Sequence, residues 1–281
     1  MKTIMVTGAN GFLGRSLLTK LIELKEFNIN LLIEDITNPE LQFESPDVLI
    51  HLAAKHPSNP GDILKVNYEA TKNLAALCSK DTHFIFLSTD YVFKEDNTKE
   101  YNENSTKEPE TEYGVSKSLA EEHLKETLKN LTIIRTSMLY GYYNKKRNNF
   151  IQFLLKQLAD NKHVELFTDI FSHPTHVDDL SNFIIEVIKS KKLGTFHACA
   201  DDFVSRFELG NLFCQVNHLN SELLVPIERA NNSELPKNIN LKPSHQFLEI
   251  SKIPLRDGLK AATEKHLEKE KRKREERGIK Q

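Results

Sequence analysis

Three side chains in this sequence have the types and spacing of an acid, a cationic helper and a hydrogen-bond donor. They are Tyr113 and Lys117 in YGVSK, and Thr89 in LSTDYVF. A phenol and an ammonium four residues apart share one face of a helix. A free tyrosine titrates near pH ~10, and nearby positive charge makes it a better acid. Thr89 follows the apolar run HFIFLS, at the carboxyl end of an expected strand, the edge where open α/β sheets hold ligands. Its hydroxyl can bond the same oxygen as the phenol. The set suits movement of hydride to or from a carbonyl, with the tyrosine handling the proton.

Such chemistry needs a hydride carrier. TIMVTGANGFLG supplies Gly8, Gly11 and Gly14 as G-x-x-G-x-x-G, after an apolar strand and at the start of a helix. Glycine permits the tight turn and lets backbone approach a pyrophosphate. The helix N-terminus then offers unpaired N–H groups and a positive dipole end. Three of only ten glycines stand here in register. The usual sequel is an acid after the second strand to bind the adenosine ribose, and Glu34 and Asp35 follow LLI. An acid there repels a 2′-phosphate, so the expectation is NAD(H) or NADP(H), with NAD(H) favoured.

Apolar runs alternate with helical patterns around these motifs. Thr3–Thr7, Ile29–Ile33, Asp47–Ala53, His83–Ser88 and Leu131–Arg135 read as strands. Residues Gly14–Leu24, Ile63–Cys78 and Tyr113–Lys129 read as helices. Continuous apolar strands separated by helices indicate α/β architecture with a parallel sheet covered on both faces. Residues 34–46 are too few for a full extra helix, so that crossover is abbreviated. Further on, Phe150–Leu158, Val177–Lys189 and Arg206–Val216 read as helices, Thr195–Ala198 as a strand, and 226–254, with four prolines, as irregular chain. The expected division is a dinucleotide-binding domain over 1–140, to which parts of 177–200 return, a smaller lobe over 141–264, and a charged tail over 265–281.

Composition excludes several classes. The 281 residues are 39% hydrophobic and 28% charged, with net charge −2, so no global field recruits nucleic acid. No apolar run is long enough for a membrane span. The first strand starts by residue 3, leaving no room for a signal peptide, and Cys78, Cys199 and Cys214 lack metal-ligand spacing. A cytoplasmic protein with reduced thiols is expected. His173, His176, Asp178 and Asp179 read as a turn into a helix rather than a metal site. His51, inside a buried strand, reads as a packed, hydrogen-bonded histidine. Lys145, Lys146 and Arg147 form a basic loop.

These segments, together with EDIT, PDVLIHLAA, VNYEATKNLAALC, IIRTSMLYG, NNF, HPTHVDDL and NLKPSHQFLEISK, resemble extended short-chain dehydrogenase/reductases of the nucleotide-sugar-modifying type. Within them the chain is most similar to dTDP-4-dehydrorhamnose reductases, over most of residues 1–260. The resemblance implies a Rossmann-type doubly wound parallel sheet with a smaller C-terminal substrate-binding lobe. It makes Tyr113 the acid at the sugar C4 oxygen, Lys117 the residue that bonds the nicotinamide ribose and lowers the tyrosine pKa, and Thr89 the residue that polarises the carbonyl. Cofactor contacts are implied for Gly8, Asn10, Gly11, Phe12, Leu13, Gly14, Asp35, Ile36, Leu52, Ala53, Ala54, Lys55, Asn67, Ser88, Tyr113, Lys117 and Met138. Tyr91, Asn149 and Pro174, with Thr89, would face a nucleotide sugar. A homodimer through the helices at 63–78 and around Tyr113 is also implied, with Tyr68, Leu74 and Leu119 either contributing to it or facing the sheet.

The departures fall on the substrate side. Met138 stands where these reductases usually carry Trp, KHPSNPGD follows HLAA, and Ser172-His173-Pro174-Thr175 replaces a Gly-x-Pro-Thr stretch. The substrate pocket is therefore altered around intact chemistry. An epimerase or dehydratase of the same superfamily is the enzymatic alternative, and a non-catalytic dinucleotide-binding regulatory subunit is the other. A dehydratase needs an acid pair after the threonine, whereas Thr89 is followed by Asp90 and Tyr91.

Overall fold

The computed structural model describes residues 1–56, 61–142, 149–229, 238–242 and 252–276. The basic loop Lys145–Arg147 and most of NLKPSHQFLEISK lie outside them. The chain divides into two compact units. The first comprises Met1–Ser137, Val177–Cys199 and Ile239–Ile250; the second comprises Met138–His176, Ala200–Asn238 and Ser251–Gln281.

The first unit is built on six strands: β1 Lys2–Thr7, β2 Phe27–Leu32, β3 Val48–His51, β4 His83–Thr89, β5 Leu131–Thr136 and β6 Gly194–His197. They form one sheet in the order β6-β5-β4-β3-β1-β2, and every pairing is parallel. Parallel strands need crossovers, and α1 Phe12–Leu24, α2 Ala70–Leu77, α3 Glu112–Thr127 and α5 Val177–Ser190 supply them. Alternation along each strand divides the core between the two faces. Met5, Leu49, Phe84, Phe86 and Ile133 pack against Leu74 of α2 and Ala120 and Leu124 of α3. On the opposite face α1 packs beside α5, where Ser16 donates to Asp178 at 2.7 Å. This is the expected Rossmann-type sheet.

The order reverses at β1, whose two neighbours are β2 and β3. Such a switch point is where doubly wound sheets open a crevice for ligands. The crossover from β2 to β3 carries no helix, as its length requires. Its Ile36 and Leu41 instead cover the core on the α2 side. The Ile36 side chain is therefore part of the core, at 8% exposure. Leu74 is likewise sealed against the sheet at 0% exposure, so it is not available to an outer, dimer-forming face. The helix expected over 63–78 includes a π-helical stretch at Lys65–Glu69 before α2 begins.

The second unit has its own core. Helices α4 Phe150–Ala159, α6 Arg206–Asn217 and α7 Leu255–Glu276 bury Ile151, Leu154, Leu209, Phe213, Leu255 and Leu259. Val164–Phe167 and Leu224–Ile227 pair in parallel beside them. Both α4 and α6 begin in a capping box, Asn149 with Gln152 and Ser205 with Glu208.

Candidate active site

The glycine turn is shaped by what surrounds it. Gly8 has φ +67°, and a Cβ there would sit 2.6 Å from the Ala53 nitrogen, so only glycine fits. A Cβ on Gly14 would meet the Gly8 carbonyl oxygen, which holds α1 against the turn. Gly11 differs. Its φ is −73°, and a Cβ would touch only the Gly8 carbonyl oxygen, at 3.0 Å. Gly11 is also the N-cap of α1, and neither a capping side chain nor an acid occupies that first turn. An uncapped helix N-terminus at a sheet switch point fits a pyrophosphate. Gly11→Val is therefore expected to leave the far-ultraviolet circular dichroism unchanged while weakening NADH and NADPH binding at least 100-fold. Unchanged titrations on the folded variant would overturn this assignment.

The loop after β3 is fixed by hydrogen bonds that run in one direction. The Ala53 N–H donates to Thr7 Oγ1 at 3.1 Å, and Thr7 donates to His51 Nδ1 at 2.7 Å. Thr71 gives its proton to the Asn67 carbonyl at 2.7 Å, so at 2.9 Å it accepts from His51 Nε2. His51 is thereby assigned as one neutral tautomer. Burial, with the Lys117 charge, pushes its pKa down to about 3, so it stays neutral. The expectation of a packed, hydrogen-bonded histidine holds.

Asn67 latches the loop after β3. Its carbonyl oxygen accepts the Lys55 N–H at 2.7 Å, and its amide donates to the Lys55 carbonyl at 2.9 Å and to Ser116 at 3.0 Å. Ser116 in turn donates to the Tyr113 carbonyl at 2.8 Å. The β3 loop is thus tied to the first turn of α3. Thr111 caps that turn by accepting the Gly114 N–H at 3.0 Å. Gly114 has no room for a side chain, because a Cβ would collide with the Tyr91 carbonyl. This close approach brings Tyr113 to the end of β4.

Tyr113 and Thr89 meet there. The Thr89 hydroxyl stands beside the phenol, and the ring lies between His56, at 5.5 Å between centroids, and Tyr91, at 6.0 Å. Burial first, and then the Asp90 carboxylate, push the Tyr113 pKa above its ordinary value, with the Thr89 hydroxyl working the other way. The expected lowering by Lys117 is not what dominates. Lys117 lies one turn further on, 2% exposed, with Nζ 4.0 Å over the Phe86 ring. Burial lowers its pKa to about 7, with Glu121 working the other way.

Glu121 continues the same helical face. It is 0% exposed, accepting from Ser88 at 2.6 Å and from both arms of Arg135 at 2.9 and 2.7 Å, with Lys107 at 3.5 Å. Burial opposes its charge, but Arg135, Lys107 and Ser88 hold its carboxyl below the ordinary range. Ser88 therefore turns its hydroxyl toward Glu121. The carboxylate fastens α3 to the strands that end in Thr89 and Thr136.

The remaining expected contacts are placed as follows. Asp35 uses one oxygen to accept the Thr37 N–H and hydroxyl, at 2.9 and 2.8 Å. In the second unit, Asn149 caps α4 and donates to the Gly141 carbonyl at 2.7 Å, so both ends of its amide are engaged. Pro174 is buried, and the Met138 sulfur is met by Arg206 and Ser172. His173 contacts the Ala200 carbonyl at 2.9 Å.

The family model described as RmlD substrate binding domain matches residues 1–268. A probable low-salt glycan biosynthesis reductase, Agl14 of Haloferax volcanii, is 30% identical over 273 residues, 88% of this chain and 90% of the relative. Methionine adenosyltransferase 2 subunit beta of Danio rerio is 26% identical over 290 residues, 90% of this chain and 84% of that one. The solved dTDP-4-dehydrorhamnose reductase of Bacillus anthracis, in complex with NADP, superposes with a TM-score of 0.82 at 26% identity, covering 94% of this chain and 99% of its own.

Proposed function

The chain belongs to the RmlD substrate binding domain family, and we propose that it reduces the 4-keto group of a nucleotide sugar, in the manner of a dTDP-4-dehydrorhamnose reductase. The observation that supports this reading is the placement of the Tyr113 phenol beside the Thr89 hydroxyl at the carboxyl end of β4, with Lys117 one helical turn away. The first turn of α1 with Gly8, Gly11 and Gly14 would hold the dinucleotide, beside Ala53 and Ala54. The bound nicotinamide would supply hydride to the carbonyl carbon. Tyr113 would then give its proton to the carbonyl oxygen, leaving a phenolate, while Thr89 bonds the same oxygen. The raised Tyr113 pKa keeps that proton in place at neutral pH until a stronger base, the developing alkoxide, appears.

Lys117 would bond the nicotinamide ribose as an ammonium. Its charge is present below its pKa of about 7 and is lost as the pH rises through that value. Cofactor affinity is therefore expected to fall above neutrality in the wild type, and Lys117→Met is expected to remove that dependence. A titration series whose wild-type affinity stays flat across neutrality would contradict this role.

Glu34 and Asp35 favour NAD(H) over NADP(H), although the Bacillus anthracis relative was solved with NADP. The relative that is a methionine adenosyltransferase subunit supports a second reading, in which the chain binds dinucleotide as part of another enzyme. A dehydratase reading is disfavoured, because the Asp90 carboxylate already accepts from Thr89 and Ser137. The test is NADH or NADPH oxidation with a panel of dTDP- and UDP-linked 4-keto-6-deoxy sugars. Oxidation dependent on the sugar supports the reductase. Tight cofactor binding without oxidation by any member favours the subunit reading.

A further inference from the structure

Asp90 follows Thr89 directly and is 8% exposed. Its two oxygens face different partners. Thr89 Oγ1 donates to Oδ1 at 2.9 Å, and Ser137 Oγ donates to Oδ2 at 2.7 Å. The Tyr91 N–H reaches Thr89 Oγ1 at 3.3 Å. A threonine hydroxyl has one proton. With that proton on Asp90, Thr89 has only lone pairs left to offer any other partner. A carbonyl oxygen is also an acceptor. In this arrangement Thr89 would present lone pairs to the substrate oxygen it is meant to polarise.

The geometry has a second state. A neutral Asp90 would donate from Oδ1 to Thr89, keep the Ser137 bond on Oδ2, and free the Thr89 proton for the substrate. We propose that Asp90 is a positioning residue whose protonation reverses the direction of the Thr89 hydroxyl, so that Thr89 donates to the carbonyl oxygen only while Asp90 is neutral. The proposal rests on the reading of Thr89 and Tyr113 as the carbonyl-binding pair. The groups acting on Asp90 are Thr89 and the Tyr91 N–H from its own segment, Ser137 beyond β5, and the Tyr113 phenol on α3. Burial favours the neutral acid, and the hydrogen bonds from Ser137 and Thr89 oppose it, leaving the pKa raised. The sign follows: activity is full at low pH and declines as the pH rises through the Asp90 titration.

The experiment is kcat against pH, from about pH 5 to about pH 9, for the wild type and two variants. Asp90→Asn keeps an acceptor for Ser137 and turns a permanent N–H donor toward Thr89. It is expected to remove the falling limb and to exceed wild-type turnover by roughly tenfold or more at the alkaline end, since one donor to a developing oxyanion is worth about 10²–10³. On a Thr89→Val background the same substitution should change nothing further, because Asp90 acts through Thr89. Ser137→Ala removes a bond that favours the carboxylate and should move the limb to higher pH. Unchanged profiles in both variants, or an equal effect of Asp90→Asn on the Thr89→Val background, would overturn the proposal. If Thr89→Val and Tyr113→Phe both turn over like wild type, the underlying active-site reading fails and this proposal falls with it.

Discussion

Tyr113→Phe is expected to lower turnover by about 10²–10⁴-fold, the range for a general acid placed on the reacting oxygen. The substitution removes a single oxygen. The ring keeps its packing against His56 and Tyr91, and the backbone bonds through Ser116 and the Thr111 cap are unaffected. Cofactor affinity and thermal midpoint should therefore stay close to wild type. Loss confined to kcat identifies an interaction made in the transition state. A loss of cofactor binding of the same size would instead make Tyr113 a binding residue. Turnover equal to wild type would leave the fold assignment standing and remove the mechanism.

The second large effect is on stability. Glu121→Ala leaves the Arg135 guanidinium, 1% exposed, without its bidentate carboxylate. Removing one partner of a buried ion pair costs about 3–5 kcal/mol. The loss should appear as a lower urea midpoint by circular dichroism. A double change, Glu121→Met with Arg135→Met, should recover much of it, since a buried pair replaced by apolar side chains is often neutral. The contribution also has a pH signature. The folded carboxyl titrates below its ordinary 4.5, so the contribution is full above that value and fades as the pH falls through the folded pKa. A destabilisation under about 1 kcal/mol, the range of exposed pairs, would contradict the burial argument.

Glu121 and Arg135 also mark where reading the sequence stopped short. The glycine turn, the apolar strands and YGVSK were legible because each is a local pattern with a short-range cause. Glycine spacing reports backbone geometry, and apolar runs of strand length report two covered faces. The Glu121–Arg135 pair joins a helix to a strand fourteen residues on, and no local pattern names the partner. A signal did exist: an arginine inside the apolar run LTIIR must be paired if buried, and Glu121 stands four residues after Lys117 on the same helical face. Asn149 carries a local pattern of its own: its spacing to Gln152 spells a capping box. In the crossover without a helix, the apolar side chain of Ile36 covers the core, a placement no local pattern announces. The length of α7 was hidden by charge: among the described residues its buried apolar side chains are Leu255, Leu259 and Ala262, near its start.

The proposed reductase activity turns on hydride transfer to the C4 carbonyl of a nucleotide sugar. The most direct test is incubation with nicotinamide cofactor, NADH or NADPH, deuterated at the transferable position, together with a dTDP-4-keto-6-deoxy sugar, followed by mass and proton spectra of the product. One deuterium per product molecule is expected, on C4, in step with cofactor oxidation. Tight cofactor binding with no deuterium in any nucleotide sugar offered would contradict the proposed activity.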